Sequence, residues 1–310
     1  MSQTANIFVQ NNIAFLKVER NHYCFDLRER PIGQGAMGTV YRGWNYQTHE
    51  LVAIKQVKQR YADIPAIRAR ARQEAALKFR HRNLVEMLGL CEEQPGRGAM
   101  FIVSKWVNGV NIDDFVKRSM SGFAQDMRVK RICELIYPVL DALAFIHSHG
   151  VVHLDIKPSN IMVENGNNVR LMDLGIAYAE TPVSGGSTTG LMGTPKYAAP
   201  EQFSQREMEN TGLNARTDLY ELGVTIYELI TGSNPFECQT LQEIAEKHRL
   251  GSLPGSALVP KQLMQVLQRA TAPQQTARFA SAQEMRLAIE QSFAIHETGA
   301  LRGLFSRLFS

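Results

Sequence analysis

Short alternating apolar runs fill the first hundred positions, and the pattern changes character once, near residue 107. Before that point five runs rich in β-branched and aromatic residues predict strands: Tyr23 to Ile32, Thr39 to Trp44, Leu51 to Val57, Leu84 to Leu90 and Met100 to Trp106. A single helical stretch interrupts them at Ile67 to Phe79. After that point the spacing predicts mostly helix. Asp126 to Ser148 places Val129, Ile132, Cys133, Ile136, Leu140 and Leu143 near a 3.6-residue period, with Gly150 as a stop. Pro138 lies inside this run, where it costs about 3 kcal/mol or a kink. Asp218 to Ile230 is apolar nearly all round, which suits a helix buried at the centre of a lobe. "SAQE", Ser281 to Glu284, predicts a capping box that opens a last helix carrying Met285, Ile289 and Phe293 on one face. Ile7 to Val18 sets Asn11 and Asn12 between two apolar runs, the pattern of a hairpin.

Composition changes this picture little. The 310 residues, 44% hydrophobic and 21% charged, are those of a globular chain, and a net charge of +4 is too small to imply nucleic acid. Basic residues crowd the stretch from Lys55 to Arg82, including Arg68, Arg70, Arg72 and Lys78; they are read as a solvated helix face ahead of a docking patch for an acidic partner. Cys24, Cys91, Cys133 and Cys238 form no CxxC pair, so neither a zinc site nor a disulfide framework is indicated and a reducing compartment fits. The first residues lack a basic segment followed by an apolar core, and no run reaches the roughly 18 apolar residues that span a bilayer, so the expected location is the cytoplasm.

The chemistry is concentrated in a few segments. "GQGAMGTVY" holds Gly33, Gly35 and Gly38 between two β-like runs, so backbone amides can close over phosphates without Cβ obstruction. GxGxxG also marks dinucleotide-binding turns and ordinary hairpins, but a dinucleotide fold would continue into a helix, whereas Thr39, Val40 and Tyr41 continue as strand. "VAIK" sets Lys55 at the end of an alternating strand, where a cation can reach phosphates, and Glu74 is the one acidic residue between Asp63 and Glu86 to pair with it. "HLDIKPSN" spaces Asp155, Lys157 and Asn160 so that an acceptor, a cation and a metal ligand can be aimed at one phosphate.

In this order the motifs resemble the protein kinase family over roughly Tyr23 to Phe293. The resemblance implies an α+β fold of two lobes, a small β-rich N-lobe and a larger helical C-lobe. Residues 1–22 would be an N-terminal extension, 23–107 the N-lobe and hinge, 108–296 the C-lobe and 297–310 an amphipathic tail. It implies Asp155 as the base for a substrate hydroxyl, Lys157 on the transferring phosphate, Lys55 and its helix partner Glu74 on the nucleotide, and Asn160 with Asp173 of "DLG" on Mg²⁺. Thr194 of "GTPKY" looks like the threonine that bonds the catalytic aspartate and lysine. ATP would lie between the lobes, its phosphates under Gly33, Gly35 and Gly38 and its purine against Val40, Ala53, Lys105, Val107 and Met162. Arg278 resembles the family's buried partner for Glu201 of "APE", and Asp218 a brace for the catalytic loop. Lys157 and "GTPKY" are similar to serine/threonine members, and "PEQ" to bacterial ones, so the expected activity is transfer from ATP to serine or threonine of a protein, the chain itself included. The alternatives are a pseudokinase scaffold, which should have lost one of Lys55, Asp155, Asn160 or Asp173, and a small-molecule phosphotransferase, which would not be expected to keep "GTPKYAAPE".

Three features depart from the family pattern. Leu154 stands where an arginine usually pairs with a phosphorylated activation loop, so activity is expected not to depend strongly on phosphate at Thr181, Ser184, Ser187, Thr188 or Thr189. Glu74 lies closer to His81 than the family has it, and Lys78 occupies an apolar position, which implies a short or displaced helix that a partner corrects. Leu301, Leu304, Phe305, Leu308 and Phe309 form one apolar stripe in the tail, suited to the kinase core, a partner protein or an anionic membrane surface.

Overall fold

The computed structural model describes residues 6–35, 37–173, 178–182, 188–203, 212–251 and 253–294. The tail stripe from Leu301 to Phe309 and the activation-segment residues Ser184 and Ser187 lie outside them. The chain divides into two compact units, Met1–Asn108 and Gly109–Ser310.

The first unit is one antiparallel sheet with helices inserted. Its strands are β1 (Ile7–Gln10), β2 (Ile13–Val18), β3 (Asn21–Asp26), β4 (Gly33–Gln34), β5 (Gly38–Asn45), β6 (Leu51–Val57), β7 (Met87–Gln94) and β8 (Arg97–Lys105), with α1 (Gln59–Ala62) and α2 (Pro65–Leu77) between β6 and β7. Sheet order is β1-β2-β3-β5-β6-β8-β7, with β4 added on β5. The run expected from Tyr23 to Ile32 breaks after Asp26, and that expected from Leu84 begins at Met87. Gln10 pairs with Ile13 across a two-residue turn in which Asn11 and Asn12 both have positive φ, 50° and 64°. Asparagine tolerates that conformation, and its twist matches the strands it joins.

The alternation of β2 turns Ala14, Leu16 and Val18 inward, where they share a core with Phe25, Val52, Ile54, Cys91, Phe101 and Val103. The sheet therefore curls until β2 meets β7. A Cβ on Gly89, whose φ is +151°, would lie 2.3 Å from Val18 Cγ1. Asn6 completes the seam, donating from Nδ2 to the Glu92 carbonyl at 3.1 Å and accepting from Cys91 Sγ at 3.4 Å.

The basic stretch is not simply a solvated face. Arg68 is buried, donates to Glu92 at 2.6 Å and caps the carbonyls of Ala62 and Gly98. Arg72 adds a forked pair to the same Glu92 carboxylate, 2.9 and 2.7 Å, so two arginines fasten α2 to β7. Lys78 ends that helix in a left-handed conformation, φ 44°, and pairs with Glu19 at 2.6 Å on the surface.

The second unit is mostly helical. It contains β9 (Gly109–Asn111), α3 (Ile112–Ser119), α4 (Gln125–Ser148), a 3-10 turn at Pro158–Asn160, and strands β10 (Ile161–Glu164), β11 (Asn168–Leu171), β12 (Tyr178–Pro182) and β13 (Thr188–Met192). Then come α5 (Ala215–Thr231), α6 (Leu241–Leu250), α7 (Lys261–Ala270) and a last helix over 282–294. Asn111, Asn214 and Thr240 cap α3, α5 and α6 with their side-chain oxygens. α4 runs through Pro138 without interruption. Every residue of α5 from Thr217 to Ile230 except Glu228 is buried, and α4 and α7 both pack on it. The box at "SAQE" is offset: Ser281 Oγ accepts from Glu284 N at 3.1 Å, but the Glu284 carboxylate reaches Ala280 N at 2.7 Å. Among the described residues no helix is long and apolar enough to cross a membrane.

Candidate active site

The loop from His153 to Asn160 hangs on the polar positions of α5. Asp218 Oδ2 accepts from His153 N and Oδ1 from Leu154 N, each at 2.8 Å, and His147 Nε2 bonds the same carboxylate at 2.7 Å. Leu154 is buried and has φ +64°, a left-handed conformation secured by those two adjacent bonds. Asp155 N donates to His153 Nδ1 at 3.3 Å, and His153 Nε2 donates to the Met172 carbonyl at 2.8 Å. Both ring nitrogens are thus assigned for a neutral imidazole, and burial holds its pKa below the usual histidine value.

Asp155 is the centre of the constellation. Its Oδ1 accepts from the Thr194 hydroxyl at 2.6 Å; its Oδ2 meets Lys157 Nζ at 2.8 Å and accepts from Asn160 Nδ2 at 2.9 Å. Asn160 Nδ2 also donates to the Asp155 carbonyl at 2.8 Å, and Lys157 Nζ donates to Thr194 Oγ1 at 2.6 Å. Four of the expected residues are therefore brought together. Met172 N donates to the Asn160 carbonyl at 2.9 Å, which ties the chain just before Asp173 to the loop; Asp173 itself is exposed with φ +51°.

Thr194 is held from beneath. Gly193 has φ +97°, and a Cβ there would stand 2.5 Å from the Leu154 carbonyl oxygen, so a side chain at this position would push the segment off the loop. The Pro195 carbonyl accepts from His248 Nε2 at 3.1 Å, while His248 Nδ1 accepts from the Tyr220 hydroxyl at 2.7 Å. Burial drives His248 down to about 3. Farther along, Arg278 forks onto Glu201 at 2.8 and 2.9 Å with both side chains buried. Burial works to raise the Glu201 carboxyl, but that guanidinium holds it below its ordinary value.

Sequence reasoning missed Glu221, Gln202 and Thr225, as it missed His147, Tyr220 and His248. Glu221 Oε2 accepts from Ile156 N at 2.7 Å, its Oε1 accepts from Gln202 Nε2 at 3.0 Å, and Thr225 Oγ1 donates to the Ile156 carbonyl at 3.1 Å. Burial, and after it the neighbouring Asp218, push the Glu221 carboxyl well above the usual range. The available signal was a second carboxyl three residues after Asp218 in an otherwise apolar helix.

In the first unit the glycine segment is strand, turn and strand: Gly33 pairs with Val40, and Gly35 N donates to the Gly38 carbonyl at 2.9 Å. Ala36 lies outside the described residues. Val40 stands opposite Lys55, and Ala53 lies two residues along β6 on the same face, away from Val52 and Ile54 in the core. Lys105 ends β8, pairing with Glu86 at 2.6 Å, and Val107 follows. Met162 belongs to the second unit, half-buried on β10 between β9 and β11. Glu74 lies on α2, and its side chain lies outside the described residues.

Comparison with known proteins gives one family. The sequence model described as "Protein kinase domain" matches residues 27–287. The chain is 33% identical over 264 residues to serine/threonine-protein kinase PknB of Mycolicibacterium smegmatis, covering 82% of this chain and 41% of that protein. It is 29% identical over 271 residues to serine/threonine-protein kinase PrkC of Bacillus subtilis, covering 85% of this chain and 40% of that protein. It thus spans less than half the length of these curated relatives. Among solved structures, the PknI kinase domain of Mycobacterium tuberculosis superposes with a TM-score of 0.66 at 22% identity, over 88% of this chain and 96% of that one, a likeness of fold.

Proposed function

Because this chain belongs to the protein kinase family, we propose that it is a serine/threonine protein kinase, transferring the γ-phosphoryl group of ATP to a serine or threonine hydroxyl of a protein, its own chain included. The observation that carries this proposal is the Asp155 carboxylate held by the Thr194 hydroxyl, the Lys157 ammonium and the Asn160 amide. A carboxylate fixed in this way can take the proton of an incoming alcohol as the oxygen attacks the γ-phosphorus and ADP leaves. Lys157 stands beside it to balance negative charge on the transferring group.

On the first unit, Lys55 and the amides from Gly33 to Gly38 would take the phosphates of ATP. Val40, Ala53, Lys105 and Val107 would take its purine, and Glu74 would hold Lys55. The residues also suit Mg²⁺. Asn160 directs Nδ2 at Asp155, so its side-chain oxygen Oδ1 would be one hard oxygen donor and the Asp173 carboxylate another. Among the described residues no cluster of three or more His, Cys, Asp or Glu could hold a metal ion. Bound by Asn160 and Asp173, the ion would neutralise charge on the phosphates.

The choice of serine and threonine is supported by the names of the relatives, PknB and PrkC, and by Lys157 and Thr194 on the same carboxylate. The four cysteines are free thiols, in keeping with a cytoplasmic location for this domain. The test is purified protein with labelled ATP and Mg²⁺, beside Asp155→Asn. Label should appear on serine or threonine in the wild type and fall by about 10²- to 10⁴-fold in the variant, the usual worth of a general base. Equal incorporation in both, or none in either, would refute the assignment.

A further inference from the structure

Four consecutive backbone amides, from His153 to Ile156, are all taken up by side chains. Asp218 accepts the first two, His153 the third and Glu221 the fourth. We propose that Glu221 is a positioning residue that joins the catalytic loop to the segment from Gly193 to Gln202, so that the two take up working geometry together. This rests on the transfer activity proposed above.

Glu221 is fully buried, and both of its oxygens receive donors: Ile156 N at 2.7 Å from the loop, and Gln202 Nε2 at 3.0 Å from the segment. The orientation of Gln202 is set independently, because its Oε1 accepts from Ala199 N at 2.6 Å. Gln202 therefore presents its NH₂ to position 221, where only a group with two acceptors satisfies both partners. An amide would face one of them donor to donor, leaving a buried N–H unmet. Gly193 fills the space between: a Cβ there would lie 3.4 Å from Glu221 Oε1 and 3.1 Å from Gln202 Nε2. One residue on, Thr194 reaches Asp155, so what Glu221 holds on either side is the pair of segments whose meeting fixes the base.

Glu221→Gln should lower kcat by about tenfold or more and raise KM for a peptide substrate, while KM for ATP stays within about twofold, because small misplacements of a reacting group are costly in rate. The exchanged pair Glu221→Gln with Gln202→Glu restores the pattern, since the new amide can accept from Ile156 N through its oxygen and donate through its NH₂ to the new carboxylate, which still accepts from Ala199 N. It should recover most of the rate. A readout independent of activity is amide hydrogen exchange at Ile156 and Ala199, where protection should fall in the single variant and return in the exchanged pair. Should Glu221→Gln fail to fold, the exchanged pair must still fold and transfer phosphate. An unaffected single variant, or an exchanged pair no better than it in rate or protection, overturns the proposal. If the wild type transfers no phosphate, the proposed activity fails, and the exchange measurement alone decides whether Glu221 ties the two segments.

Discussion

The Thr194 hydroxyl donates to Asp155 Oδ1 at 2.6 Å across 39 residues of sequence. The same oxygen accepts from Lys157 Nζ at 2.6 Å, so one threonine orients both the carboxylate and the ammonium of the loop. Neither side chain then has freedom to turn away from an incoming hydroxyl.

Thr194→Ala should therefore lower kcat by about ten- to a hundredfold, the effect of losing a charge-assisted hydrogen bond of ~1.5–3 kcal/mol. Thr194→Ser should retain most of the rate. Steady-state kinetics on both variants checks this, and an alanine variant at wild-type rate would show that the hydroxyl does not orient the base.

Leu154 is a buried residue of the loop and offers no cation to a phosphate. A variant with Thr181, Ser184, Ser187, Thr188 and Thr189 all replaced by alanine should keep its activity within about threefold, since the pairing that links loop phosphorylation to order needs an arginine. Abolished transfer in a folded variant would refute this.

The N-terminal hairpin is part of the first unit's core. Leu16→Ala should cost about 2–5 kcal/mol, read from the denaturant midpoint. Cys91 lies under the hairpin, and burial pushes its thiol up to about 12. In the intact protein it should resist a thiol reagent, whereas removal of residues 1–18 should expose it under native conditions. Equal labelling in both proteins would mean that the hairpin does not cover this core.

His248 sets a dependence on pH. Its folded pKa, about 3, lies below the ordinary 6.5 because burial disfavours the imidazolium. A depressed histidine contributes stability in full above pH ~6.5 and loses it as pH falls toward 3, with a slope of up to ~1.4 kcal/mol per pH unit. His248→Gln removes that titration. Urea midpoints between pH 7 and 4 should fall more steeply in the wild type than in the variant; parallel profiles would contradict the assignment.

Much of this was written locally. Strand β6 begins and ends where its alternation does, Leu51 to Val57, because a period of two is a property of neighbouring residues. Asn11 and Asn12 announced their turn for the same reason, since only a few residue types accept positive φ. The order of the glycine segment, Lys55, Asp155, Asn160, Asp173 and Thr194 was enough to suggest phosphoryl transfer.

What the tertiary structure decided is where the polar groups end up when the chain closes. Arg68 stood in a run of basic residues and became buried because Glu92, 24 positions away, was brought to it. His248 and Glu221 carried no motif; their roles arise from Pro195, 53 residues distant, and Ile156, 65 residues distant. Periodicity and turn preference act between neighbours, so the sequence alone determined the elements and the chemical groups they bear. A buried donor or acceptor must find its partner wherever the fold delivers one, and that pairing exists only in three dimensions.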